Sequence, residues 1–124
     1  MQTRAKIDHD QQLTTYFVTG ELNWEKIKSV IQDQIPGYLP LNTLWDLRDS
    51  TIGEVSIHAL EDIITLMKQI KSRQGGRTSI VLPMDVKDSV LRRMEGLILS
   101  SQEELPMKIK FFQSIDEALT WVNK

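Results

Sequence analysis

Two carboxylates and a run of hydroxyls between residues 46 and 58 are the groups in this chain best placed to do chemistry. Asp46 and Asp49 flank Arg48. Two nearby carboxylates can hold a magnesium ion, which favours oxygen ligands and keeps several of its waters. The competing reading is that Asp46 accepts from a neighbouring backbone amide while Asp49 begins a turn, and this second reading is preferred. Ser50, Thr51 and Ser56 lie close to an expected helix start. A phosphate there would meet the positive end of the helix dipole and unpaired backbone amides. The competing reading is simple N-capping by Thr51 or Ser56, and Thr51 with Glu54 has the spacing of a capping box. Spacing alone favours capping. His58 falls in the first turn of that helix and His9 in a turn-like run. Either imidazole could act as a general base, but no nucleophile partner is visible beside them. No G-x-S-x-G elbow, H-E-x-x-H pair or phosphate-cradling glycine loop occurs.

These residues need elements to position them. Leu44 to Leu47 reads as a short strand, followed by the polar run from Arg48 to Ser56. Ile57, Leu60, Ile63, Ile64, Met67 and Ile70 then recur at helical spacing, and Gly75-Gly76 is expected to end that helix. Thr78 to Leu82 is nearly all apolar, as in a strand covered on both faces. Upstream, residues 3 to 8 and 13 to 20 read as a hairpin around His9-Asp10-Gln11-Gln12. Asn23 caps a helix from Trp24 that Pro36-Gly37 stops. Residues 36 to 42 form a loop. Downstream come a helix from about Asp85 to Ser101 and a strand from Lys108 to Phe112. A last helix has the Ser114–Glu117 capping-box spacing. The order β-β-α-β-α-β-α-β-α implies parallel pairing with right-handed crossovers, an antiparallel hairpin at the start, and helices over at least one face. In such sheets functional groups gather at the carboxyl ends of the strands.

Composition sets bounds. The chain has 124 residues, 40% of them apolar and 26% charged, as expected for one globular domain over residues 1–124. A net charge of −2 gives no electrostatic footprint for nucleic acid. With no cysteine there is no disulfide, thiolate catalysis or cysteine-based zinc site. No apolar run approaches the roughly 20 residues of a membrane span, and Met1-Gln2-Thr3-Arg4 leads into polar sequence without a signal segment, so a cytoplasmic protein is the expectation. Lys87, Arg92, Arg93, Arg73 and Arg77 could form a surface basic patch, interrupted by Asp85, Asp88 and Glu95. Met67, Met84, Met94 and Met107 could line an adaptable apolar groove or fill core gaps. Trp24, Trp45 and Trp121 read as core anchors that could also wall a ligand cavity.

Leu44-Trp45-Asp46-Leu47-Arg48, Gly75-Gly76-Arg77-Thr78-Ser79-Ile80-Val81, Arg93-Met94-Glu95 and the ending from Phe112 through Asp116-Glu117-Ala118-Leu119-Thr120-Trp121-Val122 together resemble the STAS domain superfamily. More narrowly, they resemble SpoIIAA-like (STAS/SEC14-type) bacterial proteins. The resemblance covers nearly the whole chain. It implies an α/β fold with a mixed, mostly parallel sheet, an amino-terminal hairpin and about four packing helices. It implies a non-enzymatic regulatory or interaction module without a cofactor, working on a protein partner. Anti-sigma factor antagonists of this superfamily bind a partner that is also a kinase, and phosphorylation of a serine at the start of the helix after the central strand controls the binding. Ser56 falls at about that serine's place and Glu54 near the aspartate of the Asp-Ser-Ser-Gly-like motif. Val55 stands where the motif has a serine, and Ile57 where it has glycine. Ser50, beside Asp49, is a displaced second candidate. Asp46, Asp49, Glu54 and His58 complete the expected partner-binding region. The STAS/SEC14 likeness, with the tryptophans and methionines, also leaves open the binding of an apolar small molecule or lipid. A hydrolase or isomerase built on Asp46, Asp49 and His58 is the weakest of the three readings.

Overall fold

The computed structural model describes residues 1–37, 40–54 and 56–124. Five strands form one sheet in chain order: β1 (Gln2–Asp8), β2 (Leu13–Glu21), β3 (Asn42–Thr51), β4 (Arg77–Val81) and β5 (Lys108–Phe112). β1 pairs antiparallel with β2, and the remaining pairs are parallel. The helices are α1 (Trp24–Gln34), α2 (Ile57–Met67), α3 (Asp88–Ser101) and α4 (Ile115–Val122). This is the expected mixed α/β architecture, element for element.

The layering follows from handedness. β2, β3, β4 and β5 step across the sheet in one direction, so three right-handed crossovers put α1, α2 and α3 on the same face. Ile27 and Ile31, then Leu60, Ile63, Ile64 and Met67, then Met94 bury that face against Val18, Trp45 and Leu47. Each such side chain is stabilised by about 1.5–3 kcal/mol relative to exposure. α4 comes after the last strand and packs on the opposite face, where Ala118 and Val122 meet Leu13, Leu44 and Val81. α4 reaches β3, β4 and β5, so on that side β1 and the outer part of β2 face solvent. β1 is exposed almost throughout. Its charged side chains discourage edge pairing, and the Arg4 guanidinium lies 4.8 Å from the Phe17 ring centre.

Several expectations need correction. β3 does not stop at Leu47. It runs to Thr51, because β2 continues to Glu21 and, after an irregularity between Phe17 and Thr19, pairs Thr19, Gly20 and Glu21 with Asp49, Ser50 and Thr51. α2 ends at Met67, well before Gly75-Gly76, and a 3-10 turn over Lys71–Arg73 intervenes. Gly75 has φ +83°, a conformation in which glycine avoids the Cβ clash of other residues. α3 starts at Asp88 rather than Asp85, because Pro83 to Lys87 first makes a turn in which the Val86 amide donates to the Pro83 carbonyl at 3.2 Å. Tyr38 and Leu39 of the expected 36–42 loop lie outside the described residues.

The basic patch loses two members: Arg77 is half-buried and donates to the Trp121 carbonyl at 2.7 Å on the α4 side, and Arg73 lies inside the protein. Arg73 is 1% exposed, and its guanidinium donates to the carbonyls of Pro40 (2.6 Å) and Asn42 (3.0 Å) and to Gln34 Oε1 (3.2 Å). It ties the segment before β3 to the end of α1 inside the protein. Burial lowers its pKa, partly opposed by the neighbouring Tyr16.

Candidate functional site

The carboxyl end of the sheet is where the expected residues were to converge, and the structure separates them into three settings. The first is the pair Asp46 and Arg48 on β3. Asp46 is 6% exposed. Its Oδ1 accepts from the Arg48 amide (3.1 Å) and Nε (2.9 Å), and its Oδ2 accepts from Nη2 (2.8 Å). A bidentate guanidinium–carboxylate pair is among the stronger side-chain hydrogen bonds. Burial alone would raise the Asp46 pKa. The hydrogen bonds and charge of Arg48 outweigh it and hold the carboxyl below its usual value. The carboxylate is thereby committed to its neighbour, and among the described residues no group of three or more metal-ligating side chains is assembled. Asp46 shares its surroundings with Lys6, Thr15 and Ile115, on the α4 side of the sheet. His58 is exposed on α2, which packs on the other side. The structure therefore does not bring Asp46 and His58 into one cleft.

The second setting is the end of β3. Ser50 is 6% exposed, and its hydroxyl donates to the Leu47 carbonyl at 2.6 Å. Asp49 is exposed on the strand and does not begin a turn. Thr51 closes the strand, so it forms no capping box with Glu54; Ser56 is the N-cap of α2.

The third setting is Ser56 itself. It has extended backbone, φ −73° and ψ 130°, and its Oγ accepts from the Ala59 amide at 3.4 Å. Both Ser56 and Glu54 are exposed. With Gly53 they line a cleft of about 530 Å³ whose other wall is the start of α3: Lys87, Ser89, Val90 and Arg93. The cleft is thus bordered by an exposed serine at a helix N-terminus and by two cationic residues. Exposed apolar side chains lie on the same end of the sheet: Ile57, 45% exposed, follows Ser56, and Met84, 77% exposed, follows β4. Val55 lies outside the described residues.

Beneath this end, between the sheet and α1, α2 and α3, is a cavity of about 90 Å³ lined entirely by apolar residues. Trp24, Trp45, Met67 and Met94 are in its wall, whereas Trp121 packs on the α4 side of the sheet. Met107 is buried in the same cluster, whereas Met84 stands in solvent. Sequence reasoning placed Lys87 and Arg93 only in a general basic patch. Their six-residue separation does not mark a cleft, because Lys87 precedes the helix that carries Arg93.

Comparisons with known proteins bear on the fold. No family profile matches the sequence, and no curated protein matches it. Solved structures do. An anti-sigma factor antagonist from Mycobacterium paratuberculosis superposes with a TM-score of 0.54 at 18% identity, covering 99% of this chain and 94% of that one. The anti-sigma factor antagonist SpoIIAA in its unphosphorylated form gives a TM-score of 0.57 at 13% identity, covering 98% and 97% of the two chains. The phosphorylated form of SpoIIAA, a Bacillus cell fate determinant, gives 0.54 at 14% identity over 98% and 99%. The chain has the SpoIIAA-like (STAS) fold. Among the described residues no helix is long and apolar enough to cross a membrane.

Proposed function

We propose that this protein is a non-enzymatic regulatory module that binds a protein partner through the carboxyl end of its sheet, with Ser56 as the residue whose phosphorylation controls the binding. The observation that carries this reading is that Ser56, an exposed N-cap, lines one cleft with Lys87 and Arg93. Support comes from the fold shared with anti-sigma factor antagonists, one of them solved in both phosphorylated and unphosphorylated forms. The partner class is accordingly an anti-sigma factor. Ile57 and Met84 would supply apolar contacts, with Asp49, Glu54 and His58 around them.

The charge logic is local. A phosphoserine adds about −1.5 to −2 charge at pH 7. At Ser56 it would meet the α2 dipole and the cations of α3, so the chain can hold the phosphate itself. Lys87 and Arg93 would then be withdrawn from an acidic partner surface, and the phosphate with Glu54 would repel it. Release on phosphorylation is the expected sign. Ser50 fits the role less well, because its hydroxyl is buried against Leu47. The test is labelling by the host's kinase-type anti-sigma factors: phosphate should enter the wild type and be lost in Ser56→Ala, and labelling that persists in Ser56→Ala would refute the assignment.

A second reading, carriage of an apolar small molecule or lipid, draws on the cavity beneath α1, α2 and α3. At about 90 Å³ it is smaller than the engineered cavity of about 150 Å³ that takes up benzene. That size favours a single ring or a short alkyl group over a whole lipid. Native mass spectrometry of gently purified protein should then show a small apolar adduct, and its consistent absence would count against carriage.

A further inference from the structure

The apolar cavity and the Ser56 cleft share two walls. Ile52 lines the cavity, and Gly53, Glu54 and Ser56, directly after it, line the cleft. On α3, Val90 and Arg93 line the cleft while Met94 and Leu97, the next positions round the helix, line the cavity. We propose that the cavity is a regulatory binding site for a small neutral apolar ligand, and that its occupancy repositions Ser56 relative to α3. The regulatory half deepens the reading of Ser56 given above and rests on it; the binding half does not.

The ligand class follows from the wall. Every lining side chain is apolar, so a charged or strongly polar group inside would lose its hydration and gain no partner. Dry apolar cavities of somewhat larger volume take up benzene or xenon. The volume of about 90 Å³ limits the occupant to a single ring or a few methylenes. Part of the wall lies near the surface, at the carboxyl end of β2 and β3 as well as along α3, where Leu97 and Ile98 are half-buried. Leu22 and Ile52, immediately after β2 and β3, are only half-buried, as is Trp24. The Leu22 amide donates to the Thr51 carbonyl at 2.9 Å and ties the two sides of this rim together. Interiors pack to crystal-like density and leave few voids, and larger side chains at the half-buried Leu97 or Ile52 would fill this one.

The experiment titrates benzene, and separately dissolved xenon, into the isolated 124-residue chain and follows two signals by NMR: the Met94 methyl inside the cavity and the Ser56 backbone amide outside it. The proposal expects both to shift saturably with one common affinity. Leu97→Phe, which fills the space, should weaken benzene at least about tenfold while its thermal melt is held or raised; Ile52→Phe serves if Leu97→Phe does not fold. A Met94 methyl that never shifts saturably overturns the site. Unchanged affinity in both filled variants overturns the location. A Met94 response without a Ser56 response overturns the coupling. No partner or phosphate enters this measurement, so its failure leaves the phosphorylation reading to stand or fall on its own labelling experiment.

Discussion

Ser56 Oγ accepts the Ala59 amide at 3.4 Å, so the hydroxyl proposed to receive a phosphate is also the hydroxyl that caps α2. The two roles can be pulled apart by substitution. Alanine removes the cap, whereas aspartate caps about as well as serine and adds a charge at the positive end of the helix. Ser56→Ala should therefore lose about 1 kcal/mol of stability in urea titration, and Ser56→Asp should lose little or none. No loss in Ser56→Ala would mean the cap contributes nothing and α2 is held by packing alone.

The Asp46–Arg48 pair carries a pH signature. Its carboxyl pKa is lower in the folded protein than in the unfolded chain, where it is about 3.9. The unfolded state therefore binds the extra proton first, and stability rises with pH through that window. The pair's contribution is fully present above about pH 4 and is lost as pH falls through the folded value. Asp46→Asn should cost about 1–3 kcal/mol at neutral pH. The gap between the two proteins should narrow in acid below that point. A gap independent of pH would show that Asp46 contributes by shape rather than by charge.

Arg73 is expected to behave as a core residue. Replacing it with methionine keeps much of the volume but leaves the Pro40 and Asn42 carbonyls and Gln34 Oε1 without their donor. The expected loss is about 3 kcal/mol, seen as a lower urea midpoint. A surface arginine would show almost no change, and that result would contradict the burial described.

Gly76 is required by close approach rather than by backbone angle. A Cβ there would lie 2.2 Å from the Leu41 carbonyl oxygen, a backbone atom with little room to yield. Gly76→Ala should cost at least about 2 kcal/mol by thermal melting. Gly53→Ala, with nothing near its added Cβ, is the control and should change stability by less than about 0.5 kcal/mol.

Much of the fold was legible because its signals are local. The helical period of Ile57 to Met67, the Asn23 and Ser114 caps, and the apolar run into β4 each name one element, and the order of elements then dictates parallel pairing. What was misplaced depends on partners distant in sequence. The extension of β3 through Ser50 is imposed by Thr19 to Glu21 on the neighbouring strand, and Arg48 to Thr51 taken alone read as loop. Arg73 looked like surface because nothing near it in sequence marks its acceptors, which lie more than thirty residues away. Ser56 as an N-cap could be read from the helix start. The shared cleft of Ser56, Lys87 and Arg93 could not, since it arises only when α2 and α3 pack on the same face.

The central claim is that phosphate on Ser56 controls partner binding. The most direct measurement is isothermal titration of the host's anti-sigma factors against two forms of this chain, unmodified and with phosphoserine installed at position 56. The account predicts binding by the unmodified form that phosphoserine weakens at least about tenfold, close to 1.4 kcal/mol. Equal affinity of the two forms for a partner that does bind would contradict it.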